Sequence, residues 1–404
     1  MSNADLLSRI TPSNISAGMK KSLLSRRSFV KRSLGGVSAA MTLPGMGPAR
    51  LFAAEGRSFR PVPLIHQTDL FRPHADPDDH FDLACVYALA HRGAINLLGV
   101  LCDYPPSGHY GDPDLAAVAM LNHLTGSAAP MVVGMPNGPA SRHDLMKTAS
   151  ARDLGGVNWL LKMLRESVEP AVITVVGSSK DVALAARRDP QLFARKCRAI
   201  YLNAGTGTPT PQSDDQRDYN VALDPASFAS MFDVPCPLYW MPCLEQLKAG
   251  QPLSLVVRPH GTYYQFPMRE VLPHLAPPMQ RFFLSMLDCE PATDWLRSLR
   301  APVDAGRLDD WGKQARNMWC TAGFLHLAGL LMPATGSLSP IGQAHEPAPC
   351  RFVQVQIECD DQGRTHWQPG GSAPARCKFE VTDCANYAKA MTGALKELIS
   401  PVGA

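Results

Sequence analysis

Between residues 95 and 242, short apolar runs alternate with longer stretches whose apolar residues recur every three or four positions. The runs cover residues 95–101, 131–134, 171–177, 199–205 and 237–242, and each stops at a polar or glycine-containing turn. Short apolar runs bounded by turn residues read as strands buried on both faces. The intervening stretches, residues 79–91, 114–124, 157–166, 179–188 and 225–232, carry the helical period. Buried strands alternating with amphipathic helices predict an α/β fold, a mainly parallel open sheet with helices on both faces. Ligands of such sheets bind outside the carboxyl ends of the strands, where these turns fall.

After residue 245 the pattern changes. Residues 251–310 are rich in proline and aromatic side chains and read as several helices rather than strands. Leu272, Leu275, Met279, Phe282, Phe283 and Met286 keep a helical period and are read as core. Residues 317–331 read as another helix, 332–349 as a Pro/Gly/Ser-rich connection, 351–358 as an alternating strand and 386–398 as a final helix. The expectation is a helical insertion followed by a C-terminal strand-helix tail, with no internal repeat.

Composition narrows the class. The 404 residues are 45% hydrophobic and 19% charged, values ordinary for a soluble globular protein. The formal charge is +3, and much of the excess sits in the first fifty residues at Lys20, Lys21, Arg26, Arg27, Lys31 and Arg32. The rest offers no basic stripe with interleaved aromatics, which argues against a nucleic-acid partner. Residues 25–31, SRRSFVK, resemble a twin-arginine export signature; beyond them lie a mildly apolar stretch and small residues ending near Ala54. Residues 1–54 are therefore expected to be a signal peptide and 60–400 the folded domain, placed in the periplasm or outside the cytoplasm. The apolar run is too short to span a bilayer and Pro44 closes it, so no stable membrane span is expected in the mature chain. Of eleven cysteines, Cys85, Cys102, Cys197, Cys236 and Cys243 lie in apolar stretches and read as core. Cys350, Cys359, Cys377 and Cys384 crowd the last sixty residues and are candidates for pairing after export.

The chemistry concentrates in residues 67–90, QTDLFRPHADPDDHFDLACVYALA, where Asp69, Asp76, Asp78 and Asp79 lead into a helical segment. Adjacent carboxylates at a helix mouth repel one another unless something positive stands between them. A hard divalent cation removes that repulsion more completely than the helix N-terminus alone. An acidic helix cap is the other reading of the same residues, and the sequence leaves both open. Asp82 and Asp112 read as helix-surface and turn residues.

Together with several segments downstream, this acidic motif resembles the inosine-uridine preferring nucleoside hydrolase family, as a divergent, exported member. Family members open with T-D-x-G-x-D-D at the end of the first strand; Thr68-Asp69 and Asp78-Asp79 match its two ends around an insertion at 70–77. Leu98-Gly99-Val100 fits the second strand, residues 172–186 (VITVVGSSKDVALAA) a strand, glycine turn and helix, and 199–205 (AIYLNAG) the next strand and turn. Asp218-Tyr219-Asn220 and Leu223-Asp224-Pro225 resemble the E-F-N…D-P-E-A segment. The match spans about residues 64–245.

The resemblance implies a bound calcium ion, with Asp69 as catalytic base and metal ligand, Asp79 as a bidentate ligand and Val176 lending its carbonyl. It implies Asp78, Asp218 and Asn220 as contacts to sugar hydroxyls; Asn203, from its place at a strand end, is a further candidate to face the same pocket. The reaction implied is hydrolysis of the N-glycosidic bond of a ribonucleoside or related glycoside, whose sugar cation anionic oxygens on one face stabilise. Partners are then small-molecule nucleosides or sugars, and family members are commonly homo-oligomers. The family's late H-D-P-L-A segment, source of the last calcium carboxylate and a leaving-group histidine, has as counterpart Asn317-Met318-Trp319-Cys320-Thr321-Ala322, without Asp or His. No Asn comes after the second strand, at residues 103–107. Asp103 is a candidate replacement ligand, His74, His80 or His326 a candidate for the leaving group, and Trp319 a candidate to stack on a flat ring. The alternative is a non-catalytic nucleoside- or sugar-binding protein on the same fold.

Overall fold

The computed structural model describes residues 60–74, 77–108, 111–208, 217–243, 261–344 and 346–404. The expected signal peptide, Asp76 and the first ten residues of the expected helical insertion lie outside the described residues.

In chain order the first half runs β1 Val62–Thr68, β2 Phe71–Arg72, α1 Asp78–His91, β3 Ile95–Cys102, β4 Asp112–Pro113, α2 Leu115–Thr125, β5 Met131–Val133, α3 Gly155–Glu166, β6 Ala171–Val175, α4 Lys180–Arg188 and α5 Pro190–Lys196. It continues with β7 Cys197–Asn203, α6 Tyr219–Leu223, α7 Pro225–Ser230, β8 Leu238–Met241, β9 Tyr264–Pro267, α8 Pro277–Leu287, α9 Trp295–Arg300 and α10 Ala305–Gly312. The chain closes with β10 Ala315–Met318, α11 Thr321–Leu327, β11 Leu330–Leu331, β12 Ser339–Pro340, β13 Cys350–Cys359, β14 Thr365–Pro369, β15 Arg376–Val381 and α12 Tyr387–Ile399.

Nine of these strands form one sheet, in the order β14-β13-β15-β8-β7-β6-β1-β3-β5. From β15 to β5 every neighbouring pair is parallel; β13 runs antiparallel to both β15 and β14. This is the α/β architecture the hydrophobic pattern predicts. Two apolar clusters, one on each face, hold the layers together. One gathers α1, α2, α8, α11 and α12; the other gathers α3, α4, α5 and α7. The strands step outward from β1 through β3 to β5, and the chain then returns to the opposite side of β1 as β6. That reversal is a topological switch point, where open α/β sheets form their ligand crevice, here at the carboxyl ends of β1, β3 and β6.

Helix α1 lies against this crevice. Residues 80–89 are all buried, so the helix has no solvent face and behaves as a central core element. Its first turn carries Asp78 and Asp79 and its last turn His91, an order that complements the helix dipole.

Two expectations change. The aromatic-rich stretch is not wholly helical: β9 pairs antiparallel with β10, Tyr264 opposite Met318, so the helix expected over 317–331 starts only at Thr321. Tyr264 and Phe266 are strand-favouring residues whose partner lies some fifty positions on, and the long-range pairing overrides the local helical period. The tail holds three strands rather than one. No disulfide joins cysteines among the described residues, and the register explains much of this. Cys350 stands opposite Val381 and Cys377 opposite Gln354, which puts these two cysteines four positions out of step on neighbouring strands. Four positions amount to about 13 Å along a strand, beyond disulfide reach. Cys359 is at the far end of β13, paired with Thr365. No helix among the described residues is long and apolar enough to cross a membrane.

Candidate functional site

Strand register brings the site together. Thr68 of β1 stands opposite Cys102 of β3, and Gln67 opposite Val175 of β6. The ladder continues one residue further on each side: Asp103 N–H donates to the Thr68 carbonyl (2.9 Å) and Val176 N–H to the Gln67 carbonyl (3.1 Å). Asp69, Asp103 and Val176 therefore leave three adjacent strands at the same height. Gly177 makes this approach feasible. A Cβ there would stand 2.7 Å from Asp103 Oδ2, 2.7 Å from Asp69 N and 2.8 Å from Asp69 Cβ, closer than side chains tolerate.

Asp103 is clamped in the crevice floor. Its Oδ1 accepts from Gln67 Nε2 (2.5 Å) and its Oδ2 from the Ser178 N–H (2.6 Å). The Gln67 side chain is held in turn by the Gly177 N–H, which donates to Oε1 at 3.3 Å. Burial lifts the Asp103 carboxyl well above the usual carboxylate range and the Asp69 charge adds to this, while Lys180 works against it.

The N-terminus of α1 faces this floor. Thr68 Oγ1 donates to Asp79 Oδ1 (3.0 Å), and the Asp69 and Asp79 carboxyls hydrogen-bond to each other. Burial pushes both acids well above their ordinary range. Mutual repulsion adds to it, Asp79 acting on Asp69 and Asp78 with Asp82 on Asp79. Two carboxylates in hydrogen-bond contact share a proton unless a cation replaces it. One turn further along α1, Asp82 is 1% exposed, and no N–H or hydroxyl group donates to its oxygens. Burial pushes its carboxyl up to about 7. A hydrogen bond from the Cys320 thiol works against that rise, and the same thiol lies 3.3 Å from Asn203 Oδ1.

The other expected residues occupy distinct places. Asp78 is half-buried at the mouth of α1, close enough for its charge to act on Asp79, Cys243 and Cys320. The Val176 carbonyl accepts from Asn220 Nδ2 at 2.8 Å, and the same amide donates to the Asn203 carbonyl at 3.0 Å. Asn220 thus ties the ends of β6 and β7 together. Asp218 caps α6, accepting from the Asn220 N–H (3.1 Å) and the Gly205 N–H (2.5 Å). Burial raises it to about 6, against the pull of those backbone hydrogen bonds. Asn203 is 3% exposed and turned inward: Nδ2 donates to the Met241 carbonyl (2.8 Å) and Thr262 Oγ1 (3.0 Å), and Oδ1 receives the Cys243 and Cys320 thiols.

None of the three histidines is bonded to these acids. His80 Nε2 pairs with Asp114 Oδ2 (3.0 Å), which also takes Arg72 Nε (2.9 Å). His74 stands edge-on to His80 at 5.9 Å. His326 Nδ1 meets the Tyr201 hydroxyl at 2.7 Å and borders a separate cavity of about 900 Å³ with Phe352, Phe379 and Met391. Trp319 is half-buried and tilted on Tyr263, ring centroids 5.6 Å apart.

Sequence reasoning missed two contributors. Asp82, read as a surface residue, is fully buried, because α1 has no exposed face between residues 80 and 89. The signal was present: Phe81, Leu83, Ala84 and Cys85 surround it without a polar stripe. Gln67 sits inside an otherwise apolar strand and gave the same kind of signal. Among the described residues, no three His, Cys, Asp or Glu side chains form a ready-made metal cage. The acids instead bond to each other and to Thr68, Gln67 and Ser178.

No family model matches the chain, and no curated protein matches it. Similar solved structures include a plant nucleoside hydrolase, 12% identical over 84% of this chain and 99% of that one, with a TM-score of 0.46. An inosine-uridine preferring nucleoside hydrolase from Bacillus anthracis is 12% identical, covers 84% of this chain and 100% of that one, and gives 0.43. The type III effector protein XopQ, in complex with adenosine diphosphate ribose, is 14% identical, with coverages of 85% and 95% and a TM-score of 0.42.

Proposed function

We propose that this chain is an exported hydrolase that cleaves the N-glycosidic bond of a ribonucleoside or related glycoside with the help of a bound calcium ion. The observation that carries the reading is the meeting of Asp69 and Asp79, in hydrogen-bond contact at the carboxyl edge of the sheet, with Asp103 and Asp82 beside them. Burying this many carboxyls without a positive counterpart is unfavourable in any fold.

The donor set fits calcium. All its groups are oxygens, which a hard cation prefers, and calcium accepts irregular geometry. Asp69 and Asp79 would hold the ion, with the Val176 carbonyl beside them; that carbonyl already accepts from Asn220, and a carbonyl oxygen has a second lone pair. When bound, the cation supplies a Lewis acid that makes water easier to deprotonate. Asp69 takes the proton of the attacking water. The carboxylates on this face stabilise the positive charge that develops on the sugar as the bond to the leaving group breaks. Asp78, half-buried at the crevice mouth, is the carboxylate best placed for a sugar hydroxyl. The tilted pair of Trp319 and Tyr263 offers a flat aromatic surface for a base or aglycone.

A second reading, a nucleoside- or sugar-binding protein without catalysis, draws on one observation. The segment at 317–322 brings the Cys320 thiol to this site, with no acid or histidine of its own. Incubation with a panel of ribonucleosides and calcium, with assay for free base and reducing sugar, decides between the two. Turnover that Asp79→Ala abolishes supports the hydrolase. Substrate binding without product leaves the binding protein, and turnover unchanged in Asp79→Ala removes the catalytic assignment.

A further inference from the structure

We propose that Cys243 and Cys320 form a redox-active pair, a modification site at which a small disulfide or an oxidised dithiol protein closes an S–S bond between the end of β8 and the start of α11. Closure requires neither calcium nor catalysis, so it goes beyond the hydrolase reading.

The two residues are far apart in sequence and the fold joins them. Cys243 comes two residues after β8, where its N–H donates to the Gly205 carbonyl (2.9 Å), and Cys320 is the N-cap of α11. Both sulfurs converge on one atom: Cys243 Sγ lies 3.6 Å and Cys320 Sγ 3.3 Å from Asn203 Oδ1. The sulfurs are therefore no further apart than those two distances laid end to end. A single χ1 step on either residue moves its sulfur by more than a bond length. Asn203 is a fixed anchor, because its Nδ2 donates to the Met241 carbonyl (2.8 Å) and Thr262 Oγ1 (3.0 Å). Packing alone does not call for two thiols at one acceptor. An apolar side chain fills the space as well, and a hydroxyl is a stronger donor.

The chemistry is a double exchange. Cys243 is the more exposed of the two, at 8% against 2%. Its thiolate attacks one sulfur of the small disulfide; a mixed disulfide forms, and a thiol leaves carrying the proton that Cys243 gave up. The Cys320 thiolate then attacks Cys243 Sγ, a second thiol leaves with the proton of Cys320, and the protein S–S bond remains. The pair loses two electrons and the reagent gains them. Burial pushes both thiols well above their ordinary range, so the exchange is slow at neutral pH and speeds up in alkaline medium. Closure takes both thiols from Asn203 Oδ1 and the Cys320 hydrogen bond from Asp82, which couples the pair to the acids of the crevice.

The full chain is incubated with cystamine at mildly alkaline pH, alkylated in denaturant, digested without reduction and mapped by mass spectrometry. A peptide pair joined through Cys243 and Cys320, and separated by dithiothreitol, is expected as the main intramolecular link. Cys243→Ser should abolish it. Cys320→Ser should stop the reaction halfway, with cysteamine attached to Cys243. Recovery of both residues as free thiols, while the exposed Cys289 has reacted, would overturn the proposal. So would a Cys243–Cys320 link no more abundant than in chains oxidised in urea. The nucleoside assay decides the hydrolase reading separately, since the link forms or fails without substrate.

Discussion

Lowering the pH should stabilise the cation-free protein, and Asp82 should account for a measurable part of the gain. Its carboxyl ionises near 7 in the fold, against an ordinary value of 3.8. For an acid shifted upward, the fold is penalised at every pH above the unfolded chain's value. The penalty grows until the folded value is reached, and it is relieved as pH falls back through that value. At about 1.4 kcal/mol per decade, the full penalty at high pH is about 4 kcal/mol. At pH 5 the unfolded chain's aspartate is still mostly ionised, so part of the penalty remains and about 3 kcal/mol is recovered between pH 8 and pH 5.

Asp69, Asp79 and Asp103 are shifted in the same direction, chiefly by burial, so wild type gains more than this overall. The contribution of Asp82 is isolated by a double difference. Urea unfolding free energies are measured in EDTA at pH 8 and pH 5 for wild type and Asp82→Asn, and the two pH responses are subtracted. Removing the Asp82 charge also eases ionisation of Asp79 and Asp69, which adds to the difference in the same direction. Wild type should gain at least about 3 kcal/mol more than the variant on acidification. Parallel responses would refute the reasoning, because they would mean that Asp82 is balanced in the fold by a partner.

Two further substitutions test the scaffold around the site. Gly177→Ala places a methyl group within 2.8 Å of three atoms of Asp69 and Asp103, two of them on the rigid Asp69 backbone and Cβ; it should cost about 1–3 kcal/mol in urea unfolding, and an unchanged midpoint would show that the crevice floor yields. Asp114→Ala strips His80 and Arg72 of their shared carboxylate and α2 of its cap on the Ala117 N–H (3.1 Å). A loss of about 3–5 kcal/mol by the same assay is expected, whereas a loss near that of a cap alone, about 1 kcal/mol, would mean that the buried pairing adds nothing.

The central sheet was legible because its strands are short, apolar and closed by turns, so β3, β5, β6, β7 and β8 fall close to where the hydrophobic pattern places them. The pairing of β9 with β10 was not, since no local signal marks a partner fifty residues away. At the site, the acids at the ends of β1 and β3 could be read, because polar residues that end buried strands stand out against apolar neighbours. Asn203 occupies the same kind of position at the end of β7, yet its amide turns inward. The groups that draw it in, the Met241 carbonyl, Thr262 and Cys320, come from three later segments, and none is marked in the sequence around Asn203. Asp82 misled for the converse reason. A charged residue on a helix is usually solvated, and only the tertiary burial of every face of α1 removes that option.

Two sources of compensation compete for these acids, and magnitude separates them. The N-terminus of α1 offers the equivalent of about half a positive charge, worth at most about 2 kcal/mol in a partly buried setting. Asp82 alone carries about twice that penalty when ionised, and it sits a full turn into the helix, where the dipole has largely faded. Lys180 lowers the strain on Asp103 but is not among the groups that act on Asp69, Asp79 or Asp82. Protons or a cation must supply the rest. Protons make the cluster neutral and deprive Asp69 of the basicity that the proposed hydrolysis would require. A divalent cation keeps the carboxylates ionised and leaves the base competent at neutral pH. On the proposed reading, a sheet that drives its own acids toward protonation would exchange those protons for a metal ion, and the crowding that destabilises the cation-free fold would be the driving force for loading it.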